Sequence, residues 1–166
     1  MNTFANITDS ISRITGHALA WLVYVMMIVS CVVVALRYGF GINFIALQES
    51  ITYLHASVFM LGSAYTLSQG EHVRVDIFYR GFSVRYKAIV DLAGTLIFLI
   101  PLCVYLVASS FDYVSRSWAI REASVESQGI AAVFLLKSLI PAMAVMLLIQ
   151  ACAELVKNIQ RLKSDG

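Results

Sequence analysis

The sequence predicts an all-α integral membrane protein with four transmembrane helices and short amphipathic helices at the interface. Three observations carry this prediction. The 166-residue chain is 60% hydrophobic and only 13% charged, and its mean hydropathy is +0.80. A soluble domain carries about 25% charged residues. Apolar runs of about twenty residues recur along the chain, and at 1.5 Å per residue each can cross the roughly 30 Å hydrocarbon layer. Short segments holding most of the charge separate them. A soluble, core-rich protein is the poorer reading. The net charge of +2 is too small to suggest nucleic acid.

The elements follow in order. Met1 to Gly16 is a polar lead whose apolar residues Phe4, Ile7, Ile11 and Ile14 are spaced by three and four. That spacing fits a short amphipathic helix on the membrane surface, with a frayed terminus as the alternative. Span one covers about 17–36 and stops at Arg37, with Trp21, Tyr24 and Tyr38 suited to interfacial belts. It is too long for a signal-peptide core. Gly39, Gly41 and Asn43 turn the chain. Span two covers about 49–67, with Glu49 expected in its first turn, where the helix dipole favours a carboxylate. Ser68-Gln69-Gly70 closes it.

Residues 71–87 are the most charged segment, expected as a partly amphipathic interfacial piece broken at Gly81 and restarted by an N-cap at Ser83. Span three covers about 88–110, and Pro101 should kink it. A polar connection from Phe111 to Gly129 leads to span four, about 130–153, which carries Lys137 and Pro141. The tail after Ala153 is helical in pattern. The chain reads as one domain over 1–166.

Basic residues orient the spans. Arg13, Arg74, Arg80, Arg85, Lys87, Lys157, Arg161 and Lys163 make eight on the side of the termini, against at most four (Arg37, Arg116, Arg121, Lys137) opposite. Both termini are therefore expected in the cytoplasm.

Candidate chemistry is sparse. Cys31, Cys103 and Cys152 stand alone inside apolar runs, without metal-ligand or disulfide spacing. His55 is the one deep titratable group. A haem would need a second histidine at its depth, and His17 is expected roughly 20 Å away across the bilayer. A hydrogen-bonded packing histidine is the better reading. Autonomous proton-coupled export needs a carboxylate inside the first span, which is missing here, and no internal repeat suggests a transport core. In the loop EHVRVD, His72 and Asp76 could form a proton-handling pair, or the run could be a solvated loop obeying the positive-inside rule. A third reading has Arg74 and Asp76 docking to a partner or to lipid headgroups.

These residues also carry a resemblance. Arg37-Tyr38 closes the first helix, Gln48-Glu49 opens the second, and Leu61-Gly62-Ser63-Ala64-Tyr65 follows. Then come His72-Val73-Arg74-Val75-Asp76, Asp91-Leu92-Ala93-Gly94-Thr95, Arg116-Ser117-Trp118 and Leu136-Lys137-Ser138-Leu139-Ile140-Pro141. In order and spacing the chain resembles the DctQ-type small permease subunit of tripartite ATP-independent periplasmic (TRAP) transporters. It departs at Ala46 and Gln48, where relatives carry a Trp and an acid, and at Ala131 and Phe134, where they often carry prolines and a Trp.

The resemblance implies a bacterial or archaeal inner-membrane protein that is not an enzyme and binds no cofactor or metal. It implies two protein partners: a large permease subunit that carries substrate and Na+ by an elevator motion, and a periplasmic substrate-binding protein. The small subunit would be static scaffold. Arg37, Glu49, His72, Arg74, Asp76 and Lys137 are the candidate contacts to a partner or to membrane phospholipid. A membrane anchor of a respiratory or other redox complex is the alternative function.

Overall fold

The computed structural model describes residues 3–70 and 81–164, nearly all of them helical, with no strand among them. Helix α1 runs unbroken from Thr3 to Gly39, about 55 Å at 1.5 Å per residue. It replaces the expected surface helix plus span, and Gly16 is part of the reason. A Cβ at Gly16 would lie 2.6 Å from the ring of Tyr65, so glycine here admits a close approach of the second helix. Gly41, at φ +67°, then reverses the chain while the Ile42 amide bonds back to the Leu36 carbonyl. The left-handed φ at this helix end is a conformation that glycine adopts at no steric cost.

Helix α2 spans Ile45–Ser68 and starts four residues earlier than expected. Glu49 therefore lies beyond the first turn, so the dipole argument for its position is corrected. Helix α3 (Val84–Gly94) is capped by Ser83, whose hydroxyl accepts from the Tyr86 amide, as the sequence suggested. It leads directly into the bilayer-length segment.

Thr95–Leu99 form a π-helical turn, and α4 follows over Ile100–Ala119. The irregularity expected at Pro101 sits immediately before it. The Ile100 amide bonds to the Thr95 carbonyl five residues back, and the widened turn precedes the residue that has no amide to give. Helix α4 also runs nine residues past the expected end at Ser110. The reason is a packing seam: Cys103, Ser110 and Ser117, spaced by seven, are all buried. Small residues at that spacing let two helices approach closely in a membrane. Arg121, at φ +48°, ends the run, with the Glu122 amide bonding the Ser117 carbonyl.

Helix α5 spans Val133–Ser164 with Pro141 inside it. It is the hub, packing on α2, α4, α3 and α1, while α1 packs chiefly on α2. The core is thin, centred on Ala64, Cys103 and Leu147, with Leu67, Leu99 and three neighbours on α5 around them. Large apolar side chains such as Phe59, Phe98 and Tyr105 face outward, each 67–72% exposed.

Among the described residues, three segments are long and apolar enough to cross a membrane: Ile7–Gly39, Arg85–Ala119 and Val133–Gln160. Helix α2, at 24 residues, is shorter than these three segments. The chain is thus all-α, and an outward apolar surface of this extent fits a bilayer better than water.

Candidate functional site

Two polar clusters fasten the helices at opposite ends. At the first, α1 meets the second half of α5. Gln150 is fully buried, accepting from the Ser12 hydroxyl at 2.8 Å and donating to Asp9 at 3.1 Å. Its amide also donates to Glu154 at 3.3 Å. Lys157 closes the group, with its ammonium 2.7 Å from Asp9 and 2.8 Å from Glu154. A buried amide left without partners costs more than its hydrogen bonds return, so a fully engaged Gln150 fixes the pairing of α1 with α5.

At the other end the connection between α4 and α5 folds over the start of α2. Glu49 accepts from the Ser124 hydroxyl and, at 2.6 Å, from the backbone amide of Ile130. Gly129 lies so close that a Cβ there would meet Ser124 and come within 2.8 Å of the Glu49 carboxylate. In the same connection, Glu122 accepts from Lys137 at 2.5 Å and from the Ser117 hydroxyl at 2.6 Å. The Lys137 ammonium and the Ser117 hydroxyl hold the Glu122 carboxyl below its ordinary pKa. Lys137 also sits 4.2 Å over the ring of Tyr113, and the Trp118 indole donates to Ser138 at 2.7 Å. These contacts can hold a loop in place and couple α2, α4 and α5.

Of the candidate residues, Glu49 and Lys137 thus meet the same connection through different partners. Arg37 stands apart in the last turn of α1, exposed, its guanidinium 5.9 Å from the Tyr38 ring. His72, Arg74 and Asp76 lie outside the described residues, as does the rest of the EHVRVD segment. His55 is exposed on α2 and rests against Phe59 at 4.5 Å between ring centroids. The expected hydrogen-bonded packing role is replaced by this ring contact.

Sequence reasoning missed Asp9, Gln150, Glu122, Ser124 and Gly129. Their partners lie 75 to 141 residues away for Ser124 and Gln150, and no local pattern marks them. The Lys137–Glu122 pair had a faint signal, a lone lysine one turn into an apolar helix.

The family model of the DctQ component of tripartite ATP-independent periplasmic transporters matches residues 26–161. That range includes the whole stapled connection and Gln150. No curated protein and no solved structure matches the chain. The match spans all but the two ends of the 166-residue sequence and agrees with the resemblance carried by its motifs, so the chain belongs to the DctQ family of TRAP transporter components.

Proposed function

We propose that this chain is the small membrane subunit of a sodium-coupled TRAP importer of organic acids, serving as fixed scaffold for a large elevator-type permease. In this reading it is one domain of four spans in the inner membrane, with both termini in the cytoplasm. A periplasmic binding protein delivers solute to the large subunit, and Na+ binds there. Arg37 and, outside the described residues, His72, Arg74 and Asp76 are contacts to that partner or to lipid headgroups.

Helix α2 suits a fourth span. Its 24 residues reach about 36 Å. Ser50, Ser57, Ser63, Thr66 and Ser68 donate to carbonyls three or four residues back, which satisfies their hydroxyls without water.

One observation carries the partner. His55 lies near the middle of α2 and faces outward, in line with exposed Thr52 and Phe59 at helical spacing. Ionisable side chains at such depth are costly in lipid and normally face protein or water. An outward imidazole on a bilayer-length helix therefore marks a face that another membrane protein covers. The polar clusters at the helix ends support the static role, because they tie the helices to one another.

Reconstitution tests the proposal. In proteoliposomes with a sodium gradient, the chain alone takes up no solute, and uptake appears when the large permease and the binding protein are added. Sodium-driven uptake by the chain alone would overturn it. His55→Trp should lower co-purification with the large subunit about tenfold, the size of a central interface residue. Unchanged co-purification would exclude this face as the docking surface.

A further inference from the structure

The seam between α1 and α2 is open along one side. It forms an elongated groove of about 620 Å³ whose lining combines the small residues Gly16, Ala20, Gly62 and Ser63 with Phe59 and Tyr65. The groove is effectively apolar. The hydroxyls of Ser63 and Thr66, which could have made it polar, donate to Met60 and Gly62 carbonyls of their own helix.

One turn farther along the same two helix faces lies a polar pocket of about 340 Å³, lined by Asp9, Ser10, Arg13, Ser68 and Gln69. Asp9 is held by Lys157, and the Ser68 hydroxyl donates to the Tyr65 carbonyl. One Gln69 amide hydrogen goes to Ser68. What remains to offer a ligand is the Arg13 guanidinium, the Ser10 hydroxyl and the rest of the Gln69 amide, beside the second carboxylate oxygen of Asp9. Arg13 is the fixed cation among them, and the Asp9 charge is offset by Lys157.

We propose that this seam seats a single anionic phospholipid, with its phosphate at Arg13, Ser10 and Gln69 and an acyl chain in the groove between α1 and α2. The order of the two pockets is the order of a lipid: charge at the helix ends, hydrocarbon toward the middle. Charge complementarity favours this occupant. A basic residue at the surface attracts an anionic headgroup, and Arg forks onto phosphate with two parallel hydrogen bonds. A transmembrane helix from another protein would fill the apolar groove but has no general need of a cation at its mouth. The seat requires only that the chain lie in a bilayer, and it shares Phe59 with the outward face that the transport reading gives to a protein partner.

Photolabelling tests it. The full-length chain is placed in phosphatidylcholine nanodiscs containing a small fraction of phosphatidylglycerol with a photoreactive acyl chain. Labelled peptides should concentrate in residues 16–23 and 58–66. Arg13→Gln should lower that labelling about fivefold, the effect of one basic residue near the surface. Labelling of the outward face of α4 should stay unchanged. Ala20→Leu, which fills the groove and leaves the charge in place, should lower it as well, with helix content checked for both variants by circular dichroism. Three results would overturn the proposal: even labelling of all outward faces, indifference of the groove to both folded variants, or a Ser63→Cys cross-link to a protein partner with loss of lipid label.

Discussion

The two ends of the helix bundle solve the same problem with different materials. Where α1 meets α5, every contact runs between side chains on regular helix, and the central one, Gln150, is entirely removed from solvent. Where α2 meets the α4–α5 connection, Glu49 instead reaches a backbone amide and a hydroxyl in a loop, and Glu122 reaches a lysine across it. The first end fixes which helices pair. The second fixes where a connection lies, and it leaves that connection near the surface, where it can meet another protein without disturbing the pairing beneath.

That contrast can be tested by breaking each end. Gln150→Leu keeps the volume but strips Ser12 of its acceptor and Asp9 of a donor, and should destabilise the chain by about 1–3 kcal/mol. Thermal unfolding in detergent measures it, and a loss no larger than that of an exposed substitution would dissolve the distinction between the ends.

Glu49→Ala should have a smaller global effect and a local one. Hydrogen exchange at the Ile130 amide should speed by about an order of magnitude while α1 and the second half of α5 keep their protection. If protection falls everywhere, the connection is part of the core and not an attachment to it.

The smallest effect is one of pH. The folded pKa of Glu122 is lowered, so its contribution is fully present above the ordinary carboxylate value near 4.3 and is lost as pH falls through the lower folded value. Protection of the connection should therefore be flat from pH 7 to about 5 and fall below that. Glu122→Gln should flatten the acid limb that belongs to this residue.

Much of the fold was legible because the bilayer enforces it. The long apolar runs, the stop at Gly70, the cap at Ser83 and the helical tail all follow from hydropathy and local backbone chemistry. What misled was polarity used as a boundary. Residues 111–119 look like a connection because they carry Asp112, Ser115 and Arg116, yet they are helical because Ser110 and Ser117 continue the buried seam begun at Cys103. Likewise, residues 3–16 look like a separate surface helix, but Asp9 and Ser12 are bound to α5 and carry the helix on into the span. Glu49 showed the converse. Its place near a helix start suggested a dipole role, whereas its partners come from residues 124 and 130. Long-range pairing of single polar side chains leaves no periodic trace.

The π turn at Thr95–Leu99 has a consequence for the phase of everything after it. An α-helix advances about 100° per residue, so the one extra residue taken into a π turn rotates α4 by about that angle relative to a straight continuation of α3. The face that α3 presents to α5 and the face on which Cys103, Ser110 and Ser117 lie are therefore set by two different registers of one hydrophobic run. The turn ahead of Pro101 acts as a splice, letting a single membrane crossing meet the hub helix with two differently patterned stretches of sequence.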